Sequence, residues 1–187
     1  HDLARSIAKE TEGSFLADQF SNPANPTAHR ETTAVEMWNQ MDGQLDAVVA
    51  GVGSGGTLTG LAGFLKQKKP DIEMVAAGPE GSVVADAVIK GKFKYEGGSW
   101  LVEGIGEDFV PDNLDLSLID DAVTVSDKEA FDILQVLLKE EGILGGSSSG
   151  TLVAGAVKWC KKQTKPKNVV TFICDTGNKY LSKAFNK

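Results

Sequence analysis

The stretch Val48-Val49-Ala50-Gly51-Val52-Gly53-Ser54-Gly55-Gly56-Thr57-Leu58-Thr59-Gly60 constrains this chain more than any other. An apolar strand there runs into a glycine cluster, and the cluster runs into a helix. Glycines let the backbone adopt positive φ and approach a ligand closely, and a helix starting near Gly55 aims unpaired N–H groups and a positive dipole end at it. The pattern predicts an anion cradle, with phosphate the best-fitting ligand and Ser54 and Thr57 as added hydroxyl donors. No Gly-Lys-Ser/Thr follows, which argues against a nucleoside-triphosphate loop. A tight strand-to-helix turn that uses glycine only for packing is the plainer alternative, but five glycines in residues 51–60 exceed what a turn needs.

Gly51, Gly53 and Gly56 also satisfy Gly-x-Gly-x-x-Gly, a dinucleotide-binding spacing. That fingerprint expects an acidic residue at the end of the next strand; the run Met74 to Gly78 ends without one, and Glu80 lies beyond it.

At 187 residues the chain can fold around a real core, and its 41% apolar and 24% charged content is that of a globular domain. A net charge of −7 argues against nucleic acid or an anionic membrane as partners, so a bound anion must be held locally by backbone dipoles and hydroxyls. No run reaches membrane-spanning length and no signal-peptide pattern opens the chain. Cys160 and Cys174 lack metal-ligand or redox spacing and read as reduced core thiols of a cytoplasmic protein, with no metal site expected.

The chain starts at His1, and Leu3 to Glu10 reads as the tail of an amphipathic helix, as if the chain began in mid-protein. Residues 13–20 read as a short strand and Ser21 to Pro26 as an ordered loop. Ala34, Val35, Met37, Trp38 and Met41 mark one amphipathic helix from Thr27 to about Met41, stopped by Gly43. Leu45 to Ala50, Gly55 to Lys68 and Ile72 to Ala77 form a β-α-β unit, which makes the fold α/β with a mainly parallel sheet. Lys66, Lys68 and Lys69 suit the C-terminal dipole of the helix, and Pro70 ends it. From Gly78 to Asp115 no long period appears, and Gly91, Gly97, Gly98, Gly104 and Gly106 interrupt the chain. Ala122 to Val125 is a strand. Ser126 to Glu129 is a capping box opening a helix to about Glu141, with Ile133, Leu134, Leu137 and Leu138 inward. A second glycine-serine turn, Gly142 to Gly150, leads into a small-residue helix, Thr151 to Cys160, whose serines either cap it or present a hydroxyl to a ligand. Asn168 to Cys174 is expected as a buried strand, followed by a last short helix. His29, at a helix start, reads as structural, because a catalytic base there needs a partner that the sequence does not identify.

Four stretches together carry a family resemblance: Gln19 to Pro26, Gly53 to Thr57, Gly104-Ile105-Gly106 and Gly146 to Gly150. In this order the chain resembles the C-terminal portion of the fold-type II pyridoxal-phosphate enzymes of β-replacement, the O-acetylserine sulfhydrylases and cystathionine β-synthases. The resemblance implies a three-layer α/β/α fold, pyridoxal 5′-phosphate as cofactor, small amino-acid substrates and a homodimer. It implies that Gly53, Ser54, Gly55, Gly56 and Thr57 hold the 5′-phosphate and that Ser148 faces the pyridine nitrogen. A neutral hydroxyl there does not hold that nitrogen protonated, which suits elimination and replacement at Cβ. Gln19 resembles a residue that helps bind the substrate carboxylate, and Gly104 a glycine that lines the active site.

The family's Schiff-base lysine and its Thr/Ser-Gly-Asn substrate loop lie in the N-terminal portion, and nothing here corresponds to either. Each lysine of this chain sits on a polar helix face, at a helix end or in a charged loop, not in the desolvated setting that depresses an amine pKa. Residues 1–12 therefore read as the tail of the preceding, lysine-bearing region and residues 13–187 as the C-terminal cofactor-binding region. The missing N-terminal half is the expected partner, and the C-terminal regulatory module of some of these synthases is not expected after the last helix. Glu103 before Gly104-Ile105-Gly106 resembles the cystathionine β-synthase pattern, where sulfhydrylases usually have Gln. Glu103 and Lys183 match positions of a charged pair in the synthases, which favours cystathionine formation over cysteine synthesis. A non-catalytic module that kept the phosphate loop explains the missing lysine more directly, but gives no reason for Gln19 and Ser148.

Overall fold

The computed structural model describes residues 2–91 and 98–186. The readings of Gly97 as a breaker and of Lys92, Lys94 and Lys187 as solvated lysines lie outside them. A parallel sheet organises the rest, formed by β1 (Ala47–Ala50), β2 (Glu73–Pro79), β3 (Asp121–Val125) and β4 (Val169–Val170) in the order β3-β2-β1-β4. Val48 pairs with Met74 and Val170, so the glycine stretch continues from a central strand.

Because side chains alternate along a strand, the sheet has two apolar faces. Val48, Ala50, Met74, Ala76 and Ala122 face one core, filled by Leu58, Leu61 and Leu65 of α4 (Gly56–Lys68), by α3 (Thr33–Gln40) and by α5 (Val84–Lys90). Val49, Val75, Ala77, Val123 and Val125 face the other, filled by Leu152 and Trp159 of α7 (Ser147–Cys160) and by Ala130 of α6 (Asp127–Glu141). The result is the expected three-layer α/β/α arrangement. Gly155 brings α7 onto the sheet: a Cβ there would lie 2.8 Å from the Cβ of Ala77.

Local signals located several elements well. Ser126 and Glu129 form the reciprocal capping box that opens α6, and Gly142 closes it at φ +68°. The C-terminal lysines of α4 do more than offset its dipole: Lys66 pairs with Asp120 at 2.7 Å and Lys69 with Asp46 at 2.8 Å.

Other expectations are corrected. Residues 13–20 form no strand; they meet no sheet edge, and Phe15 is 85% exposed. The expected helix from Thr27 to Met41 is two, α2 (Ala24–Glu31) and α3. They break at Thr32 (φ −120°, ψ −75°), whose hydroxyl bonds back to the Ala28 carbonyl at 2.7 Å. Ala24 to Pro26, read as loop, begin α2. The region from Gly78 to Asp115 contains α5, too short to show a period. In α6, Leu138 is exposed and Ile133 only half-buried, because α6 lies against α7 rather than on the sheet. The small-residue helix starts at Ser147, not Thr151, with Gly146 as its N-cap, so the three serines occupy its first turn. The expected strand at 168–174 is reduced to β4: beyond Val170, Thr171 reaches the sheet through its hydroxyl, bonded to Val49 O at 2.9 Å. Both cysteines are free as expected but exposed, not in the core.

The α6–α7 contact carries a pH signature. Lys158 donates to Glu129 at 2.9 Å, and this bond, followed by the Ser126 backbone N–H, pulls the Glu129 carboxyl from 4.5 down to about 2. A carboxyl lowered in the folded state contributes stability that is complete above the unfolded value and is lost as pH falls from about 4.5 to about 2. With 43% of the Glu129 side chain exposed, solvent screening keeps this contribution small. Glu129→Gln keeps a capping partner but removes the charge. Urea midpoints measured across that acid window should fall less steeply in the variant; parallel slopes would exclude the pair as the cause.

Candidate active site

The glycine stretch divides into distinct tasks. Gly55 ends the loop at φ +83° as the N-cap of α4, which has no side-chain cap, so the first N–H groups of α4 are left for another acceptor. Gly53 admits the carbonyl of Gly104: a Cβ there would lie 2.7 Å from that oxygen. Gly56 and Gly60 serve packing instead, since a Cβ on either would collide with α2, at Asn25 and at Pro26 and His29 respectively. Packing thus accounts for Gly56 and Gly60, while the start of α4 behind Gly55 carries no side-chain cap.

Beyond the carboxyl ends of β1 and β4 the loop opens into a cavity of about 560 Å³. This is where open α/β sheets place ligands. Ser54, Thr57, Ser148, Gln19 and Gly104, from four segments far apart in sequence, all line the cavity, beside apolar residues such as Ile105, Leu152 and Phe172. Gln19 lies where the chain turns into α2, and its carbonyl accepts from Asn25 and Asn113, each at 2.8 Å. Gly104 (φ +84°) is held by its neighbours: Glu103 N donates to Ser147 Oγ at 3.0 Å and Gly106 N to Val52 O at 2.9 Å. Ser148 sits in the first turn of α7, nearly covered.

Glu103 lines the same cavity, and Lys183, on α8 (Leu181–Ala184), donates to its carboxylate at 2.8 Å. The expected charged pair is formed. Beside it, Tyr180 donates to Asp175 at 3.1 Å, and burial first, then that carboxylate, pushes its phenol up.

His29 was read as structural, yet it lines the cavity with two partners. Its Nδ1 lies 3.0 Å from Thr33 Oγ1 and its Nε2 3.2 Å from Thr57 Oγ1. Burial lowers its pKa, so the ring is neutral near pH 7. The spacing of His29 and Thr33 was visible in the sequence, but Thr57 lies 28 residues away.

A glycine loop, an uncapped helix start and the hydroxyls of Ser54 and Thr57 meet at this cavity, and no lysine lines it among the described residues. A sequence model of the family described as pyridoxal-phosphate dependent enzyme matches residues 1–175, and the chain belongs to that family. It is 41% identical over 181 residues to cysteine synthase A of Escherichia coli, covering 95% of this chain and 56% of that protein. It is 38% identical over 181 residues to cystathionine beta-synthase of Apis mellifera, covering 97% and 35%. The crystal structure of an O-acetylserine dependent cystathionine beta-synthase from Helicobacter pylori matches with a TM-score of 0.84 at 37% identity, over 97% of this chain and 57% of that one. The chain thus spans about half the length of the curated relatives it matches, and less for the Apis protein.

Proposed function

We propose that this chain is the C-terminal, cofactor-binding part of a pyridoxal-phosphate-dependent β-replacement enzyme that joins serine or O-acetylserine to homocysteine, giving cystathionine. The observation that carries the reading is the gathering of Ser54, Thr57, Ser148, Gln19, Gly104 and Glu103 around one cavity. The residues present suit the cofactor: the uncapped start of α4 and the Ser54 and Thr57 hydroxyls form a donor set for a phosphate dianion.

On this reading the backbone from Gly53 to Thr57, with the Ser54 and Thr57 hydroxyls, holds the 5′-phosphate. Ser148 meets the pyridine nitrogen with a neutral hydroxyl and leaves it unprotonated. Gln19 takes the substrate carboxylate, and the Gly104 loop closes the opposite wall. When bound, the cofactor withdraws electrons from the substrate α-carbon, so that a group on Cβ departs and a thiol replaces it. Because no lysine among the described residues lines the cavity, the covalent anchor is assigned to an N-terminal half. Residues 1–12 are then the tail of that half, in keeping with the exposure of Leu3 (74%) and Ile7 (54%) on α1 (Asp2–Glu10). A homodimer in the cytoplasm completes the proposal. Among the described residues, no helix is long and apolar enough to cross a membrane.

The Glu103–Lys183 pair supports the choice of nucleophile. An amino-acid thiol brings its own ammonium and carboxylate to the rim, which bare sulfide does not. Cysteine synthesis is the second reading, favoured by the 41% identity to a protein of that name. With an N-terminal half supplied and pyridoxal phosphate added, Glu103→Gln combined with Lys183→Thr should lower kcat/KM for homocysteine several-fold more than for sulfide. Equal losses, or none, would leave cysteine synthesis as the better reading.

A further inference from the structure

The two hydroxyls of the cradle are each backed by a side chain of α2, and these decide what the hydroxyls offer to the cavity. Behind Ser54 stands Asn25. Its Nδ2 donates to the Gln19 carbonyl at 2.8 Å, an acceptor that fixes which end of the amide points there. The same Nδ2 donates to Ser54 Oγ at 2.8 Å. Ser54 therefore accepts from behind and keeps its own proton free to turn toward the cavity.

Behind Thr57 stands His29, and there the direction depends on one proton. A neutral imidazole has one N–H and one lone pair. If Nδ1 carries the proton, Thr33 accepts it, and the Nε2 lone pair consumes the Thr57 proton, so that Thr57 shows an anion only lone pairs. If Nε2 carries the proton, Thr33 donates to Nδ1, Thr57 accepts from Nε2, and the Thr57 proton is free. Only the second arrangement makes Thr57 a donor to an anion, and it repeats the arrangement at Ser54. The approach is built into the packing: Gly56 and Gly60, one helical turn apart on α4, are the positions where a Cβ would collide with Asn25 and His29.

We propose that His29 is a positioning residue for the phosphate cradle: as the Nε2–H tautomer it donates to Thr57 Oγ1 and turns that hydroxyl toward the bound anion, as Asn25 does for Ser54. The proposal rests on the phosphate reading of the cavity. It assigns to α2 a part in ligand binding although neither Asn25 nor His29 need touch the ligand.

Two measurements on this chain test it. Nitrogen-15 shifts of the His29 ring at neutral pH, without ligand, should report the Nε2–H tautomer; the Nδ1–H tautomer overturns the proposal whether or not phosphate binds. Calorimetric titration with pyridoxine 5′-phosphate, which has no aldehyde and forms no covalent bond, gives the second. His29→Leu and Thr57→Val should each weaken binding about tenfold, the double variant no more than either alone, and His29→Gln, whose amide can donate to Thr57, should restore most of the loss. Near-UV circular dichroism identifies variants that keep the fold. Additive losses, undiminished affinity in a folded His29→Leu, or no recovery in a folded His29→Gln overturn the proposal. Failure of the unsubstituted chain to bind pyridoxine 5′-phosphate would remove the cradle itself, and is told apart because it precedes any substitution.

Discussion

Gly55→Val should weaken binding of pyridoxine 5′-phosphate by roughly 10- to 100-fold while leaving the weak binding of unphosphorylated pyridoxine unchanged. The range follows from losing one or two charge-assisted hydrogen bonds of about 1.5–3 kcal/mol each. Gly55 holds φ +83°, a conformation that a β-branched residue adopts only under strain of about 1–3 kcal/mol. The added Cβ would also stand 2.9 Å from both N and Cβ of Leu114. Leu114 is buried, and the next residue, Asp115, donates its N–H to Thr59 of α4 at 3.0 Å, so the wall cannot retreat without disturbing the helix. The loop must therefore open, and the N–H groups of the first turn lose their convergence. Undiminished phosphate affinity in a folded variant would take this loop out of the site.

Gly150→Ala should destabilise the fold by about 1–3 kcal/mol, against the direction of helix propensity, which favours alanine by about 1 kcal/mol. Gly150 lies in the first turns of α7, and a Cβ there would run into the backbone carbonyl of Ala130 on α6 and stand 2.9 Å from Cγ of Leu134. Ala130 and Leu134 are fully buried, so neither can yield cheaply. Gly63, inside α4, is the contrasting case: its Cβ would meet only the flexible end of Arg30, at 3.8 Å. Gly63→Ala should therefore gain up to about 1 kcal/mol from propensity alone. Urea midpoints of the two variants should move in opposite directions at constant slope. A shared gain would show that the α6–α7 contact is looser than its geometry requires.

The two glycines also show what sequence reading can and cannot reach. Strand, glycine loop and helix at Val48 to Lys68 were legible because each signal is local: an apolar run, a conformational need for glycine, a helical period. The capping box at Ser126 was legible for the same reason. What each glycine does is set by its neighbour in space, so Gly53, Gly55 and Gly56 look alike in sequence yet meet Gly104, Leu114 and Asn25. Tertiary context likewise decided the misread elements. Residues 13–20 have strand-like composition but no edge to join, and the single helix read from Thr27 to Met41 runs across a break that Thr32 makes with its own hydroxyl, ahead of the apolar period that starts at Ala34. Gln19, Gly104, Ser148 and the Glu103–Lys183 pair were found through family resemblance rather than spacing, and they do converge on one cavity and its rim. His29 was set aside because no partner was visible; its partners come from the next helix and from the glycine loop.

The central claim, that the start of α4 holds a phosphate, is tested most directly by backbone amide shifts. In nitrogen–proton correlation spectra, pyridoxine 5′-phosphate should shift the N–H signals of Ser54 to Leu58 well beyond those elsewhere, and pyridoxine without its phosphate should leave them in place. Unmoved signals at Ser54 to Leu58, or largest shifts among the lysines at the end of α4, would contradict it.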